Sequence, residues 1–222
     1  MGQVPYEAYA ATVFKYASTY DKMYMTIGEA IDLSHEVADR LKSLCPNAKQ
    51  VVGIARGALL LTSVVARDLG LPMMMISVRR SGNAVKDRVR KIPRLVHLAS
   101  RWYENERVNT LLRLMIERFN SKGPVLAQEI DTQFASEVIL LDDAEESGRT
   151  FTAARGLLLR NGAVNITFAV LVWSTLADNF GRGSHAHPDV YIGRSMQHFP
   201  WSGNSPYYKE YLKWLADHDL RL

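Results

Sequence analysis

Two strand–helix–strand patterns constrain the fold of this chain more than any other feature of its sequence. Each pattern is a short apolar run, then a stretch with helical spacing of its apolar residues, then a second apolar run. The first covers residues 50–55, 57–69 and 72–78, and the second covers 137–141, 150–160 and 164–172. Short continuous apolar runs are typical of strands buried on both faces. Because the helix between two such strands forms a crossover, the strands pair in parallel. The sequence therefore predicts an α/β fold, with a parallel twisted sheet flanked by helices.

Further elements are predicted around these two units. Thr26 and Glu29 have the spacing of a capping box at the start of a helix that ends before Pro46. Residues 104–119 have apolar positions at helical spacing. A last strand at 189–192 and a terminal helix at 207–216 follow. The inward-facing residues predicted for that helix are Tyr208, Tyr211, Leu212 and Leu215.

These elements suggest how the chain is organised. We expect one domain over residues 1–222, with its core at about 24–80 and 132–194. Residues 82–131 are expected to form a helical or flexible insert, and residues 188–222 a small C-terminal hood. No internal repeat or low-complexity tract interrupts this order.

Composition and charge limit the class of protein. Of the 222 residues, 47% are hydrophobic and 23% charged, an ordinary globular balance. No apolar run approaches the roughly 18 residues of a membrane span, and the N-terminus lacks a basic region followed by an apolar stretch. We therefore expect a cytoplasmic protein that does not bind membranes. The single cysteine, Cys45, cannot form an internal disulfide and is expected to act as a small hydrophobe.

The net charge of +4 is unevenly distributed. Between Arg79 and Arg94 there are seven basic residues and one acid, Asp87. This stretch has three possible roles: a solvated loop, a lid over a polyanionic substrate, or a nucleic-acid patch. The lid is favoured because the stretch directly follows a predicted strand end, and a nucleic-acid partner is not expected.

The residues that indicate chemistry follow the apolar run 138–141. Asp142 and Asp143 come first, then a Ser-Gly turn, then a helix beginning near Thr150. In an open α/β sheet, ligands bind beyond the carboxyl ends of the strands. Backbone N–H groups of such a turn can hold a phosphate, and adjacent carboxylates suit a ribose diol and Mg²⁺. The sequence therefore predicts a site for a phosphorylated sugar and a magnesium ion.

This stretch resembles the signature of the type I phosphoribosyltransferases, which bind 5-phosphoribosyl-1-pyrophosphate (PRPP). The signature has an apolar run, two acids, two variable residues, an acid or Ala, Thr or Ser, Gly, any residue, and Thr, and the spacing matches throughout. The resemblance implies that Asp142 and Asp143 hold the ribose hydroxyls, with or through Mg²⁺. It also implies a segment around the 5-phosphate, with these PRPP-binding residues: Glu145, Glu146, Ser147, Gly148, Arg149 and Thr150.

A second segment, residues 53–58, resembles the pyrophosphate loop of the same family. It reads Gly-Ile-Ala-Arg-Gly-Ala and is similar to the form found in bacterial xanthine-guanine enzymes. The resemblance implies that Arg56 and Gly57 bind the pyrophosphate of PRPP. It also implies a cis peptide bond between Ala55 and Arg56, as in many members. Arg79 and Arg80, at the end of the next strand, lie where the family often places a basic residue for the pyrophosphate.

Near the C-terminus, residues 188–193 and 199–201 resemble the hood of purine-type members, where a backbone and aromatic shelf receives the base. The base-binding residues implied are Tyr191, Met196, Phe199 and Trp201. Purine members usually have a Lys near the end of the strand after the signature helix. This chain instead reads Ala-Val-Leu-Val-Trp at 169–173, which is a departure from the purine pattern.

Glu146 occupies the position where purine-type members usually carry Asp. The resemblance implies that its carboxylate takes a proton from the acceptor base, as a general base. The alternative is that Glu146 only accepts backbone N–H bonds within the phosphate turn.

Together these resemblances imply a Mg²⁺-dependent phosphoribosyltransferase. The enzyme would transfer ribose 5-phosphate from PRPP to a nitrogenous, purine-like base, release pyrophosphate, and form a homodimer. The alternative is a regulatory protein on the same fold that senses PRPP or a nucleotide, or binds RNA, without turnover. The acid at Glu146 supports catalysis, whereas the excess of basic residues and the missing Lys keep the regulatory alternative open. Fold alone does not decide between the two functions.

Overall fold

The computed structural model describes residues 24–80, 125–127, 132–173, 187–193 and 198–220. These ranges contain four helices and six strands. In chain order they are α1 (Ile27–Leu44), β1 (Gln50–Ala55), α2 (Leu59–Leu69), β2 (Met73–Arg80), β3 (Val125–Ala127), β4 (Glu137–Glu145), α3 (Arg149–Arg160), β5 (Asn165–Trp173), β6 (Val190–Gly193) and α4 (Tyr208–Asp217). Five strands form a parallel sheet in the order β2-β1-β4-β5-β6. The predicted α/β fold with a parallel sheet is confirmed.

The chain divides into two compact units. The first contains Met1–Ser77 and Glu129–Leu222, and the second is Val78–Gln128. In the second unit the described backbone forms a short antiparallel ladder, in which Val78 pairs with Ala127 and Arg80 with Val125. The sequence did not predict β3, because three residues are too few to show a strand period and the partner strand is distant along the chain. The helix predicted at 104–119 lies outside the described residues.

Local sequence signals set the limits of the first two helices. The Thr26 hydroxyl accepts a hydrogen bond from the Glu29 N–H at 3.2 Å, and the Glu29 carboxylate accepts one from the Thr26 N–H at 2.8 Å. This is the predicted capping box, which satisfies two otherwise unpaired donors at the start of α1. Helix α2 ends at Gly70, whose φ of 64° is left-handed and favours glycine.

Helices flank the sheet on both faces. Ile139 and Leu141 of β4 are fully buried in one apolar cluster with the inner faces of α1 and α2. On β5, the ring of Phe168 packs against Phe151 of α3, with ring centroids 4.1 Å apart. Because neighbouring residues of a strand point to opposite faces, continuous apolar strands need a helix layer on each side.

Helix α4 shows where helical spacing alone was insufficient. Tyr211 and Leu215 are buried as predicted, but Leu212 is 40% exposed, so its predicted inward position is wrong. Residues 211 and 215 lie on one face, and residue 212 is turned about 100° from residue 211. The core reaches only part of the apolar arc of this helix. Among the described helices none is both long and apolar enough to cross a bilayer.

Strand β4 is longer than predicted. The apolar run ends at Leu141, yet the strand continues to Glu145 and includes Asp142 and Asp143. Its extension pairs with β5, where Asp142 lies opposite Val170 and Glu145 opposite Trp173. Aspartate is a poor strand former by itself, so this tertiary pairing, and not local propensity, keeps the acids in the sheet.

Candidate active site

The two segments with predicted substrate contacts lie on neighbouring strands. β1 and β4 pair in parallel, with Val51 opposite Ile139 and Gly53 opposite Leu141. Their carboxyl ends therefore lie at the same edge of the sheet. A Cβ atom built on Gly57 would be 2.1 Å from Asp143 Oδ2 and 2.6 Å from its Cγ. The backbone at Gly57 thus packs directly on the Asp143 carboxylate, and only glycine leaves room for it.

The loop after β1 is short and closed by its own backbone. The peptide bond between Ala55 and Arg56 is cis, which confirms the expectation drawn from the resemblance. The Ala58 N–H donates to the Ile54 carbonyl at 3.3 Å, and α2 begins at Leu59. The Arg56 side chain is exposed, so it is accessible to a ligand at this edge.

Strand β1 is held close to α2 by a second glycine. A Cβ on Gly53 would lie 2.0 Å from the Thr62 hydroxyl oxygen, and that hydroxyl donates to the Ala58 carbonyl at 2.6 Å. The close approach of strand and helix fixes where the loop leaves the sheet.

The paired acids have an unusual electrostatic environment. Asp142 is only 7% exposed, and Asp143 is half-buried. Its Oδ1 accepts the Asp143 N–H at 2.9 Å. Burial, together with the neighbouring Asp143 charge, raises the pKa of Asp142 well above its usual range. Burial also raises the pKa of Asp143, partly offset by a hydrogen bond from Trp201. Two desolvated acids side by side favour a bound cation.

The acids fit a magnesium ion that is shared with a substrate. Among the described residues, no three His, Cys, Asp or Glu side chains form a cluster able to hold a metal. Mg²⁺ is usually bound by one or two carboxylates together with substrate phosphates and water, and not by a complete protein cage. Asp142 and Asp143 supply two adjacent carboxylates of this kind.

The turn after β4 is shaped by a buried carboxylate. Glu145 is 2% exposed, and its Oε1 accepts the N–H of Gly148. Gly148 has a φ of 71° and caps the twelve-residue helix α3, while its carbonyl accepts the Thr152 N–H at 2.8 Å and the Thr152 hydroxyl at 2.7 Å. A carboxylate repels a phosphate, so Glu145 is not a direct phosphate donor. Its hydrogen bond to the Gly148 N–H instead stabilises the shape of the turn.

The rest of the turn surrounds the start of α3. Ser147 is exposed, Gly148 is buried, and Glu146, Arg149 and Thr150 are half-buried. A helix N-terminus presents unpaired N–H groups and a positive dipole end. The predicted PRPP-binding residues of this segment therefore lie together at the carboxyl edge of β4.

Comparison with known proteins gives matches only among solved structures. No protein-family model matches the sequence, and no curated protein matches it. A purine phosphoribosyltransferase from Pyrococcus horikoshii Ot3 superposes with a TM-score of 0.55 at 19% identity, over 82% of this chain and 94% of that one. The chain has the type I phosphoribosyltransferase fold.

Two further structures with the phosphoribosyltransferase fold match this chain. The Helicobacter pylori xanthine-guanine-hypoxanthine phosphoribosyltransferase gives a TM-score of 0.52 at 14% identity, over 88% of this chain and 98% of its own. A Staphylococcus aureus hypoxanthine phosphoribosyltransferase gives 0.51 at 11% identity, over 79% and 77%. At such identities the likeness shows the fold, and the roles of residues depend on the geometry of the site.

The structure describes only some of the residues predicted to bind the base. Phe199 is 4% exposed and stacks on Trp201, with ring centroids 4.9 Å apart and planes 8° apart. Tyr191 packs edge-on against Trp173 at 5.1 Å. Met196 lies outside the described residues, as do the side chains of Arg79 and Arg80.

Trp201 has a contact that the sequence did not indicate. Its Nε1–H donates to Asp143 Oδ2 at 2.7 Å. The two residues are 58 positions apart, and no local pattern in the sequence links them. The structure therefore joins the C-terminal segment directly to the acids of β4.

Proposed function

We propose that this chain is a magnesium-dependent phosphoribosyltransferase that transfers ribose 5-phosphate from PRPP to a nitrogenous base and releases pyrophosphate. The main support is the packing of Gly57 on the Asp143 carboxylate. This contact puts the loop after β1, the paired acids and the turn before α3 at one edge of the sheet. The three structural neighbours named above are purine, xanthine-guanine-hypoxanthine and hypoxanthine phosphoribosyltransferases, and this favours a purine-like acceptor.

Each part of PRPP has a matching group at this edge. The N–H groups and hydroxyls of the turn, at Ser147, Gly148 and Thr150, would hold the 5-phosphate at the positive end of α3. Asp142 and Asp143 would hold the ribose hydroxyls and Mg²⁺. Bound Mg²⁺ would neutralise charge on the pyrophosphate.

The pyrophosphate itself would lie near the loop after β1. The exposed guanidinium of Arg56 and the backbone at Gly57 would bind it. The roles expected for Arg79 and Arg80 stay predictions, because their side chains lie outside the described residues. Guanidinium groups suit phosphate oxygens because their N–H donors form paired bonds.

The reaction would break the bond between C1 of the ribose and the pyrophosphate oxygen, with the electron pair leaving on pyrophosphate. A bond then forms between C1 and the acceptor nitrogen, whose proton passes to the Glu146 carboxylate. The acceptor would lie towards Tyr191, Met196, Phe199 and Trp201. The end of β5, at residues 169–173, has no Lys of the kind that usually holds the purine oxygen, so the acceptor contacts would differ from those of standard purine members.

The test is a screen of bases for Mg²⁺-dependent release of pyrophosphate from PRPP. Release with at least one base, lost in the Asp142→Asn, Asp143→Asn double variant, is the expected result. Binding of PRPP in calorimetry without release with any base would favour the regulatory alternative. Absence of PRPP binding in the presence of Mg²⁺ would refute the proposal.

A further inference from the structure

The Trp201 side chain is held by one hydrogen bond and two ring contacts. Its Nε1–H donates to Asp143 Oδ2 at 2.7 Å. One face is stacked almost parallel on Phe199, and the ring of Tyr211 lies 5.8 Å away, tilted by 57°. Phe199 and Tyr211 are both core residues. The orientation of the indole is therefore fixed by the core and not by a ligand.

The backbone that precedes Trp201 is also anchored. The His198 carbonyl accepts the Met25 N–H at 3.0 Å, and the His198 ring stacks on Tyr24 with centroids 5.1 Å apart. After Trp201, a turn closes with the Ser202 N–H donating to the Phe199 carbonyl at 3.0 Å. The chain before Trp201 is thus tied to the main body of the fold, and a local turn fixes the backbone at Trp201 itself.

A fixed hydrogen-bond donor restricts the orientation of the Asp143 carboxylate. The last side-chain torsion of an aspartate is broad, so a carboxylate at a strand end has no single preferred orientation. Here Gly57 packs on one side of the carboxylate and the indole N–H binds its Oδ2. These two contacts select one orientation before any substrate binds, and preorganised ligands bind cations and diols better than mobile ones.

We propose that Trp201 is a positioning residue, which orients Asp143 for PRPP and Mg²⁺, instead of a platform that stacks on the acceptor base. This inference rests on the proposed function and adds a role for the C-terminal segment in binding PRPP. One face of the indole is already used by Phe199, and its polar edge by Asp143. Residues 199–211 therefore complete the PRPP site from a distant part of the chain.

The proposal is tested on the full-length protein with Trp201→Phe, which keeps an aromatic ring on Phe199 but removes the donor. Trp214→Phe is the matched control, because Trp214 stacks on His218 at the other end of α4. Loss of a hydrogen bond to a charged group corresponds to about 10-fold to 100-fold weaker binding. We expect that loss in the affinity for PRPP with Mg²⁺, measured by calorimetry, for Trp201→Phe and not for Trp214→Phe.

A double-mutant cycle separates positioning from a direct role. In an Asp143→Ala background there is no carboxylate to orient, so Trp201→Phe should cause no further loss of PRPP affinity. If Trp201 contacts the base instead, Trp201→Phe raises the KM for the acceptor and leaves PRPP affinity unchanged in both backgrounds, which overturns the proposal.

A measurement on the folded wild-type protein covers the case in which Trp201→Phe does not fold. The indole N–H resonance of Trp201 should shift when Mg²⁺ and PRPP are added, and should move towards a free-indole position in Asp143→Ala. An indole resonance insensitive to Asp143→Ala would overturn the proposal. If wild-type protein binds PRPP but Trp201→Phe binds it equally well, only this inference fails. If wild-type protein does not bind PRPP, the proposed function fails and this inference with it.

Discussion

The substitution Gly57→Ala tests whether the loop after β1 and the acids of β4 form one site. The new Cβ would lie 2.1 Å from Asp143 Oδ2, about 1.3 Å inside the 3.4 Å at which ordinary contact begins. The same oxygen accepts the Trp201 N–H at 2.7 Å. Because the aspartate side chain is short, either the carboxylate leaves Trp201 or the loop moves away from β4.

The size of the effect follows from the contact that is lost. A hydrogen bond to a charged group contributes about 1.5–3 kcal/mol to the free energy of unfolding. For a chain of this size, each kcal/mol corresponds to about 2–4 °C in Tm, so we expect Tm to fall by about 3–12 °C. Affinity for PRPP with Mg²⁺ should fall at least about 10-fold, since about 1.4 kcal/mol is a factor of ten.

Thermal unfolding without ligand and calorimetry with PRPP and Mg²⁺ measure the two effects. Gly203→Ala is the control, because a Cβ there meets nothing within 4 Å and the φ is outside the left-handed region. In an Asp143→Ala background the clash is absent, so Gly57→Ala should change Tm and PRPP affinity only slightly. The reasoning is refuted if Gly57→Ala matches Gly203→Ala in Tm and affinity, or if its cost persists without the Asp143 carboxylate.

Three further predictions concern the site and its surroundings. The raised pKa of Asp142 means that the folded protein keeps this proton to a higher pH than the unfolded chain, so its contribution to stability falls as pH rises from the unfolded value to the folded one. Asp142→Asn should therefore raise the Tm of the protein free of metal and ligand at pH 7, with a gain that shrinks towards pH 4; a gain independent of pH would contradict this. The buried Tyr211 hydroxyl has no hydrogen-bond partner within the described ranges, so Tyr211→Phe should leave the free energy of unfolding unchanged or raise it by up to about 1 kcal/mol in urea unfolding, and a marked loss would reveal a partner. Glu146→Gln should lower kcat for pyrophosphate release by about 10²-fold with PRPP affinity nearly intact, whereas weakened PRPP binding with kcat kept would point to a role in the turn.

Sequence patterns sufficed wherever the physical cause is local. The capping box of Thr26 and Glu29 acts over one helical turn, and the left-handed end of α2 requires the glycine at Gly70. Continuous apolar runs identified four of the five parallel strands, because residues buried on both faces show no polar alternation. The acids and the Ser-Gly turn are also adjacent in the sequence, so their spacing was enough to predict a candidate site at the end of β4.

Other features depend on partners far apart in the sequence, and these only the tertiary structure decided. The continuation of β4 through Asp142 to Glu145 depends on pairing with β5, and the burial of Asp142 follows from that pairing. The exposure of Leu212 depends on how far the core extends under α4. The hydrogen bond from Trp201 to Asp143 joins residues 58 positions apart. Helical spacing and strand periodicity describe each element by itself, whereas the edge where Gly57, Asp143 and Trp201 meet exists only once the strands are placed side by side.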